Sequence, residues 1–182
     1  MSASPEQAPN ISRITLRSTV RHSDLLAVGQ IVRSSGYFSE EEIETAVELV
    51  EDAILDGPFS HYLFIFAEID RRVAAYACFG PIPLTRSSFD LYWIAVTEQF
   101  RRHGIGSIIM EQTENEIKRL GGTRIYVDTS GRAQYASTRA FYEKRGYRKE
   151  AVLENFYTPG DDKIIYCLNL AGPNSSNETE AA

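Results

Sequence analysis

The most constraining feature of this sequence is an apolar strand that runs, through a short loop, into a glycine-containing helix start. The strand runs from about Phe89 to Val96, and the loop and helix start are residues 101–107, with the sequence RRHGIGS. The first amides of a helix lack internal acceptors and carry the positive end of its dipole. Glycines let an anion approach such amides closely. The pattern predicts a phosphate-binding site, to which Arg101 and Arg102 add positive charge.

The kind of phosphate is not fixed by these glycines alone. The dinucleotide fingerprint G-x-G-x-x-G is not met, because Ile109 stands at its third glycine. The nucleotide P-loop also fails, since no Gly-Lys-Ser/Thr ending follows. An ordinary helix start that happens to contain Gly104 and Gly106 stays open as an alternative.

Composition excludes several classes of function. The formal net charge is -6, and no long Lys/Arg cluster occurs, so a nucleic-acid partner is not expected. No apolar run approaches the roughly 20 residues that a membrane helix needs. Cys78 and Cys167 each lie in an apolar run and are expected to be buried, reduced thiols. We therefore expect a cytoplasmic protein without a membrane partner.

The chain is expected to form one domain between two disordered tails. Residues 1–12 and 171–182 are rich in small and polar side chains and cannot offset the entropy of ordering. Between them, at residues 13–170, the hydrophobic periodicity predicts elements in the order βααβββαβαββ. This order indicates the α/β class with a mixed sheet.

Local signals refine these elements. Ser23 is expected to cap the first helix, and Ser39 with Glu42 has the spacing of a capping box at the second. On the helix after Gly104, Glu114 and Lys118 are expected to form an i,i+4 ion pair on the solvent side.

Two motifs together resemble a known family. Arg101-x-x-Gly104-x-Gly106 resembles the R/Q-x-x-G-x-G/A pyrophosphate loop of the GCN5-related N-acetyltransferase (GNAT) family. Residues 138–147, with the sequence TRAFYEKRGY, resemble its second signature of helix, Y-E-K-x-G-[FY] and strand. The resemblance covers about residues 13–170. It implies a mixed, mostly antiparallel sheet flanked by helices, and acetyl transfer from acetyl-CoA, without a metal, to an amine.

The resemblance also implies which residues contact the coenzyme. The end of the strand would pair with the pantetheine arm, and one amide there would hold the thioester oxygen. The loop amides would hold the pyrophosphate. The implied coenzyme-binding residues are Ile94, Ala95, Val96, Arg101, Arg102, His103, Gly104, Ile105, Gly106, Ser107, Thr138 and Arg139.

The chain departs from the family near its second motif. Many members have Asn near the start of that helix, where Tyr135 and Ser137 stand here. One side-chain contact to the pantetheine is therefore in doubt. Arg139 could reach a coenzyme phosphate instead, or it could be a solvated surface arginine.

Two residues are candidates for catalysis. Tyr142 matches the family tyrosine near the coenzyme sulfur, where it would act as an acid or as a hydrogen-bond donor to the thiolate; the alternative is a half-buried structural aromatic. An amine with a pKa near 10 is about one part in a thousand neutral at pH 7, so a base is needed. Asp90 is the first candidate for this base, although it could be a turn residue at the strand start. Glu98 and His61 are weaker candidates.

The acceptor stays open. A free amino acid, a polyamine-like compound, an aminated antibiotic and a protein N-terminus all fit a pocket of aromatic and acidic side chains. A non-catalytic acyl-CoA-sensing module and a protein N-terminal or lysine acetyltransferase are the alternatives, and a homodimer is common in the family. The candidate pocket residues are Tyr37, Phe38, Glu40, Glu41, Tyr157, Asp161 and Asp162.

Overall fold

A computed structural model describes residues 14–170, so the expected tails at 1–12 and 171–182 lie outside the described residues. Its strands and helices follow the order βααβββαβαββ, as the periodicity predicted. They are β1 (Ile14–Arg17), α1 (Ser23–Ser34), α2 (Glu40–Asp56), β2 (Leu63–Ile69), β3 (Arg72–Pro81), β4 (Ser88–Val96), α3 (Ile105–Arg119), β5 (Arg124–Ser130), α4 (Ala136–Lys144), β6 (Arg148–Thr158) and β7 (Asp161–Asn169).

The strands form one seven-stranded, mostly antiparallel sheet in the order β1-β2-β3-β4-β5-β7-β6. β1 pairs antiparallel with β2, and β7 pairs antiparallel with both β5 and β6. β4 and β5 are parallel, in a register that runs from Ser88 opposite Arg124 to Asp90 opposite Tyr126. The expected α/β class with a mixed, mostly antiparallel sheet is confirmed.

The described residues group into two compact units: 14–78 with 93–111, and 79–92 with 112–170. The boundaries of a single domain at 13–170 stay a prediction. No helix within residues 14–170 is long and apolar enough to cross a bilayer.

In the first unit, α1 and α2 bury their apolar stripes against strand residues. Ser39 and Glu42 form the expected capping box, in which each side chain accepts a hydrogen bond from the backbone amide of the other residue. The cap predicted at Ser23 is wrong, because α1 starts at that residue and His22 precedes it without a side-chain cap. The buried core of this unit comprises Val28, Ile31, Val32, Ile43, Ala46, Val50, Ala53, Phe64, Phe66, Tyr76, Cys78 and Ala95.

In the second unit, the contacts of α3 differ from those predicted from its own sequence. Glu114 does not pair with Lys118. It accepts two hydrogen bonds from Arg145, which follows α4. Gly122 ends the turn after α3 where no larger residue fits: a Cβ there would lie 2.3 Å from Cγ2 of Ile117 and 2.8 Å from the ring of Phe89.

Candidate active site

The loop between β4 and α3 is built by a short turn and two left-handed residues. In the 3-10 turn Glu98–Phe100, the amide of Phe100 donates to the carbonyl of Thr97 at 2.9 Å. Arg102 and Gly104 then adopt φ values of 64° and 80°. A Cβ at Gly104 would meet no atom within 4 Å, so its backbone faces open space.

This loop presents a run of amides that are not bonded to a backbone carbonyl of the described residues. The carbonyl of Gly104 accepts from the amides of Ser107 and Ile108, at 3.0 and 3.2 Å, which starts α3. Among the described residues, no backbone carbonyl accepts a hydrogen bond from the amides of residues 102–106. Free amides at a helix start attract an anion, as the helix dipole also does. The geometry fits the predicted pyrophosphate site.

The charged and polar side chains of the loop differ in their contacts. Arg101 forms an ion pair with Glu98 at 2.6 Å, and its guanidinium lies 5.4 Å from the ring centroid of Tyr37. His103 is exposed, and its Nδ1 lies 2.7 Å from the carbonyl oxygen of Arg101. Arg102 is exposed and has no ion-pair partner among the described residues. The positive charge still available to a ligand is therefore that of Arg102, more than that of Arg101.

The remaining loop residues set the direction of α3. Ile105 is buried and anchors the helix start, whereas Ser107 is exposed and Gly106 is half-buried. Thus the shape of this segment depends on Ile105, and access to its backbone depends on the small residues beside it.

The end of β4 combines packing with an available backbone. Ala95 lies in the core of the first unit, while Ile94 and Val96 are half-buried. Both the amide and the hydroxyl of Thr97 donate to the carbonyl of Ala74 at 2.9 Å, which fixes the strand end. The register of β4 with β5 ends at Asp90, well before Val96.

Tyr142 is buried, with 3% of its surface exposed, and lies among aromatic rings. Its ring centroid is 5.6 Å from those of Phe141 and Tyr147 and 6.0 Å from that of Tyr166. Burial, and secondarily the negative charge of Asp128, raise the pKa of Tyr142. The phenol therefore stays protonated at neutral pH. Tyr142 is more deeply buried than the half-buried aromatic residue that the sequence left open as an alternative.

Arg139 has a structural role in the described residues. Its Nη1 donates to the carbonyls of Ser130 and Arg132, at 2.8 and 2.9 Å, and so braces the loop after β5. Thr138, one residue earlier on α4, is half-buried. The contacts of both residues with the coenzyme stay predictions.

Asp90 is half-buried on β4 and makes no hydrogen bond or ion pair with a described residue. Burial raises the pKa of Asp90; the negative charge of Asp128 raises it further, and the positive charge of Lys163 lowers it. A carboxylate without a partner and with a raised proton affinity suits a general base. The weaker candidates fit less well, since Glu98 pairs with Arg101 and His61 is exposed before β2.

Asp128 was missed by the sequence analysis, although it lies in the same unit as Asp90. Its Oδ2 accepts a hydrogen bond from the hydroxyl of Tyr157 at 3.0 Å and lies 2.9 Å from Nζ of Lys163. The buried Ile125 and Val127 indicated that Asp128 lies on the other face of β5. Only the register showed that this face continues that of Asp90.

Three of the residues expected to line the pocket for the acceptor amine belong to the second unit: Tyr157, Asp161 and Asp162. The hydroxyl of Tyr157 donates a hydrogen bond to Asp128. Asp161 is 1% exposed; it accepts a hydrogen bond from the hydroxyl of Ser130 and forms an ion pair with Arg132 at 2.8 Å, so its contacts are with the end of β5 and the loop after it. Asp162 accepts from the amide of Asn155 at 2.8 Å, within the β6–β7 hairpin.

The four candidates in the first unit also have local contacts. Phe38 packs on Trp93 with ring centroids 4.9 Å apart, and Glu40 pairs with Arg33 at 2.6 Å. Tyr37 contacts Arg101, and Glu41 is exposed. Among the described residues, no group of three or more His, Cys, Asp or Glu side chains could hold a metal.

Comparison with known proteins places the chain in a family. The model of the Acetyltransferase (GNAT) family matches residues 29–147. The [ribosomal protein bS18]-alanine N-acetyltransferase of Salmonella typhimurium is 28% identical over 116 residues, which cover 60% of this chain and 73% of the relative.

Two solved structures share the fold. A protein described as belonging to the GNAT family of acetyltransferases, from Desulfovibrio desulfuricans, is 42% identical with a TM-score of 0.86, over 87% of this chain and 100% of that chain. The PaiA N-acetyltransferase of Thermoplasma acidophilum, solved with coenzyme A, is 19% identical with a TM-score of 0.67, over 86% and 99% of the two chains.

The sheet order, the free loop amides and these matches define one class of protein. The chain belongs to the GNAT family of acetyltransferases. It is an acetyl-CoA-dependent acyltransferase, with acetyl-CoA as its cosubstrate.

Proposed function

We propose that the protein transfers the acetyl group of acetyl-CoA to a primary amine of a small molecule or peptide, by direct attack in a ternary complex. The observation that carries this proposal is the run of amides at residues 102–106, to which no backbone carbonyl of the described residues is bonded. These amides bind the pyrophosphate, with the exposed Arg102 adding charge. Gly104 is left-handed and open, which lets a phosphate oxygen approach.

The end of β4 holds the reactive part of the coenzyme. Since its register with β5 ends at Asp90, the backbone of Ile94–Val96 is free to pair with the amide groups of pantetheine. One amide of this segment donates to the thioester oxygen as that oxygen gains negative charge. The side chain of Ala95 meanwhile stays in the core.

The proton balance assigns a role to Asp90. The acceptor arrives as an ammonium ion and gives one proton to the carboxylate of Asp90. Its nitrogen lone pair then attacks the thioester carbon, and the carbon–sulfur bond breaks with its electron pair on sulfur. The second proton of the nitrogen passes to the thiolate as the amide forms, and Asp90 releases the first proton to solvent.

Tyr142 acts on the leaving sulfur as a hydrogen-bond donor. A free thiol has a pKa of about 8.5 and a phenol one of about 10, so full proton transfer from tyrosine is already uphill. Burial raises the pKa of Tyr142 further, which makes this transfer more unfavourable. A protonated phenol that donates a hydrogen bond stabilises the thiolate without giving up its proton.

A peptide or protein N-terminus is the second candidate acceptor. It is supported by the 28% identity with an enzyme named for acetylating an alanine of ribosomal protein bS18. Peptides with free and with blocked N-termini, tested beside a panel of small amines and aminoglycosides, separate these acceptor classes. Binding of acetyl-CoA without turnover on any of them would favour the non-catalytic sensing module.

The first experiment is thermal unfolding with and without acetyl-CoA. At about a hundredfold excess over Kd, ligand binding adds roughly 2.7 kcal/mol of stability. For a chain of this size, this predicts a rise of about 5–10 °C in Tm, absent with NADH or ATP. No rise at millimolar acetyl-CoA would overturn the proposed coenzyme site.

A homodimer is a further part of the proposal. β6 is the last strand of the sheet and is exposed along most of its length. Two antiparallel copies of β6, centred between Ala151 and Val152, would place Lys149 of each copy opposite Glu154 of the other. Sedimentation velocity should show a dimer that K149E or E154K weakens and that the double swap restores; a monomeric wild type would refute it.

A cytoplasmic location is also proposed. It is supported by Cys78 and Cys167, which are both buried and free, as expected for a reducing compartment. Fractionation of cells that express the tagged protein tests it.

A further inference from the structure

Four side chains of the second unit form what we call the carboxylate cluster: Asp90, Asp128, Tyr157 and Lys163. Within it, Oδ2 of Asp128 has two partners, the hydroxyl of Tyr157 at 3.0 Å and Nζ of Lys163 at 2.9 Å. The same Nζ lies 4.9 Å from the ring centroid of Phe156. A cation between a carboxylate and an aromatic face is held by both. Asp128 is thus fixed in place, although its side chain is 43% exposed.

Asp90 has a different environment. It lies opposite Tyr126 in the parallel register, so Asp128, two residues further along β5, is on the same face. Asp90 has no hydrogen-bond or ion-pair partner among the described residues and is half-buried. Burial raises the pKa of Asp90 most; the negative charge of Asp128 raises it further, and the positive charge of Lys163 lowers it. Tyr142, on α4, is also affected by Asp128: burial, and secondarily the negative charge of Asp128, raise the pKa of Tyr142.

We propose that Lys163 and Tyr157 are positioning residues: they fix the carboxylate of Asp128 beside the half-buried Asp90, and the opposite charges of Asp128 and Lys163 adjust how readily Asp90 takes up a proton. When the environments of two neighbouring acidic groups differ, the groups take different parts in acid–base chemistry. Here Asp128 has a cation and a donor, and Asp90 has neither. Asp90 is therefore the carboxylate of the cluster that no cation or hydrogen-bond donor of the described residues contacts.

This inference rests on the proposed function only for the use of Asp90 as the base. The effect of the Asp128 and Lys163 charges on Asp90 does not depend on any acceptor, because it is present in the free protein. The two charges are expected to change the pKa of Asp90 in opposite directions. Loss of the negative charge in D128N should lower the pKa of Asp90, and loss of the positive charge in K163M should raise it.

The test is a titration of the Asp90 side-chain carboxyl by ¹³C NMR in the free, full-length protein. Relative to wild type, the midpoint is expected to move by about half a pH unit or more, downward in D128N and upward in K163M, which is less than the effect of a direct contact. Y157F should move it in the direction of D128N but by less, because Asp128 is then loosely held. K118M, which removes an exposed charge on α3, is the matched control and should leave the midpoint unchanged.

The results distinguish an error in the inferred effect of Asp128 and Lys163 on Asp90 from an error in the proposed role of Asp90 as the base. K163R keeps the charge and should restore a midpoint near that of wild type, which a merely structural role of Lys163 would not require. Equal midpoints in wild type, D128N and K163M, or shifts of the same sign, would overturn the inference. If the midpoints move as expected but D90N keeps full turnover, the inference stands and the proposed base is wrong. With an accepted amine, the acidic limb of the kcat/KM profile should follow the NMR midpoints.

Discussion

Arg145 donates two parallel hydrogen bonds to Glu114, from Nε to Oε1 at 3.1 Å and from Nη2 to Oε2 at 2.7 Å. Both side chains are largely buried, at 18% and 13% exposure. Bidentate pairs of this kind are among the stronger charged contacts in proteins. The pair joins α3 to the end of α4 within the second unit.

E114Q is therefore expected to destabilise the protein. It leaves a mostly buried guanidinium without its carboxylate, at a cost of about 1–3 kcal/mol. In a chain of this size, each kcal/mol lowers Tm by about 2–4 °C. Differential scanning calorimetry measures the change.

The control for this variant is E116Q. Glu116 pairs with Arg119 on the exposed surface of the same helix, where an ion pair contributes about 0–1 kcal/mol. Equal shifts in Tm for E114Q and E116Q would show that burial adds nothing to the Glu114 pair.

The pair of Glu114 and Arg145 was not predicted from the sequence. Spacing along one helix suggested Lys118 as the partner of Glu114, because helical spacing relates only residues of the same helix. The true partner is 31 positions away and is brought near by packing. The element order and the capping box at Ser39 were predictable, since both depend on local periodicity and local hydrogen bonds.

The candidate site was predictable to a similar extent. The loop at residues 101–107 was proposed from Gly104 and Gly106; Gly104 is left-handed, as a glycine at such a position allows, and the role of the loop in binding the coenzyme stays a prediction. Asp128 was not found, since its relation to Asp90 depends on the β4–β5 register. The hydrogen bonds of Arg139 to the carbonyls of Ser130 and Arg132 were not predicted, because only the fold brings that loop near α4; its contact with a coenzyme phosphate stays a prediction.

G104A should weaken the binding of coenzyme A. Gly104 has a φ of 80°, and a methyl group there would project into open space where the phosphate is proposed to approach. Loss of one hydrogen bond to a charged group costs about 1.5–3 kcal/mol, or about tenfold or more in Kd. Isothermal titration calorimetry with coenzyme A measures this.

G160A separates backbone strain from ligand contact. Gly160 has a φ of 83° and is also open to solvent, but it lies in the turn between β6 and β7. Both variants should lose a similar stability of about 1–2 kcal/mol from the left-handed alanine. Equal weakening of coenzyme binding by G160A and G104A would contradict the proposal that the loop at residues 101–107 binds the pyrophosphate.

Y142F should lower turnover well below wild type with little change in the affinity for acetyl-CoA. The change removes one hydroxyl, which is proposed to stabilise the leaving thiolate, and keeps the buried ring. Steady-state kinetics and a binding titration separate the two quantities. Y147F is the matched control, since its ring lies 5.6 Å from that of Tyr142 and its hydroxyl is buried as well. Unchanged turnover in Y142F would remove Tyr142 from the mechanism.

D90N should stabilise the folded protein at neutral pH and not in acid. Burial and the charge of Asp128 raise the pKa of Asp90 in the folded chain. A carboxyl with a raised pKa binds its proton more tightly in the folded than in the unfolded state. Its favourable contribution is therefore complete below the unfolded pKa, about 3.9, and is lost as pH rises through the folded value.

Asparagine carries no charge at any of these pH values, so D90N does not undergo this loss. The Tm of D90N minus that of wild type should therefore be near zero at about pH 3 and become positive toward pH 7. D162N is the contrasting variant, because Asp162 accepts a hydrogen bond from the amide of Asn155 at 2.8 Å and its loss should lower Tm at neutral pH. A decrease in Tm for D90N at pH 7 would mean that the ionised Asp90 is stabilised by its surroundings, which would contradict its role as an unpartnered base.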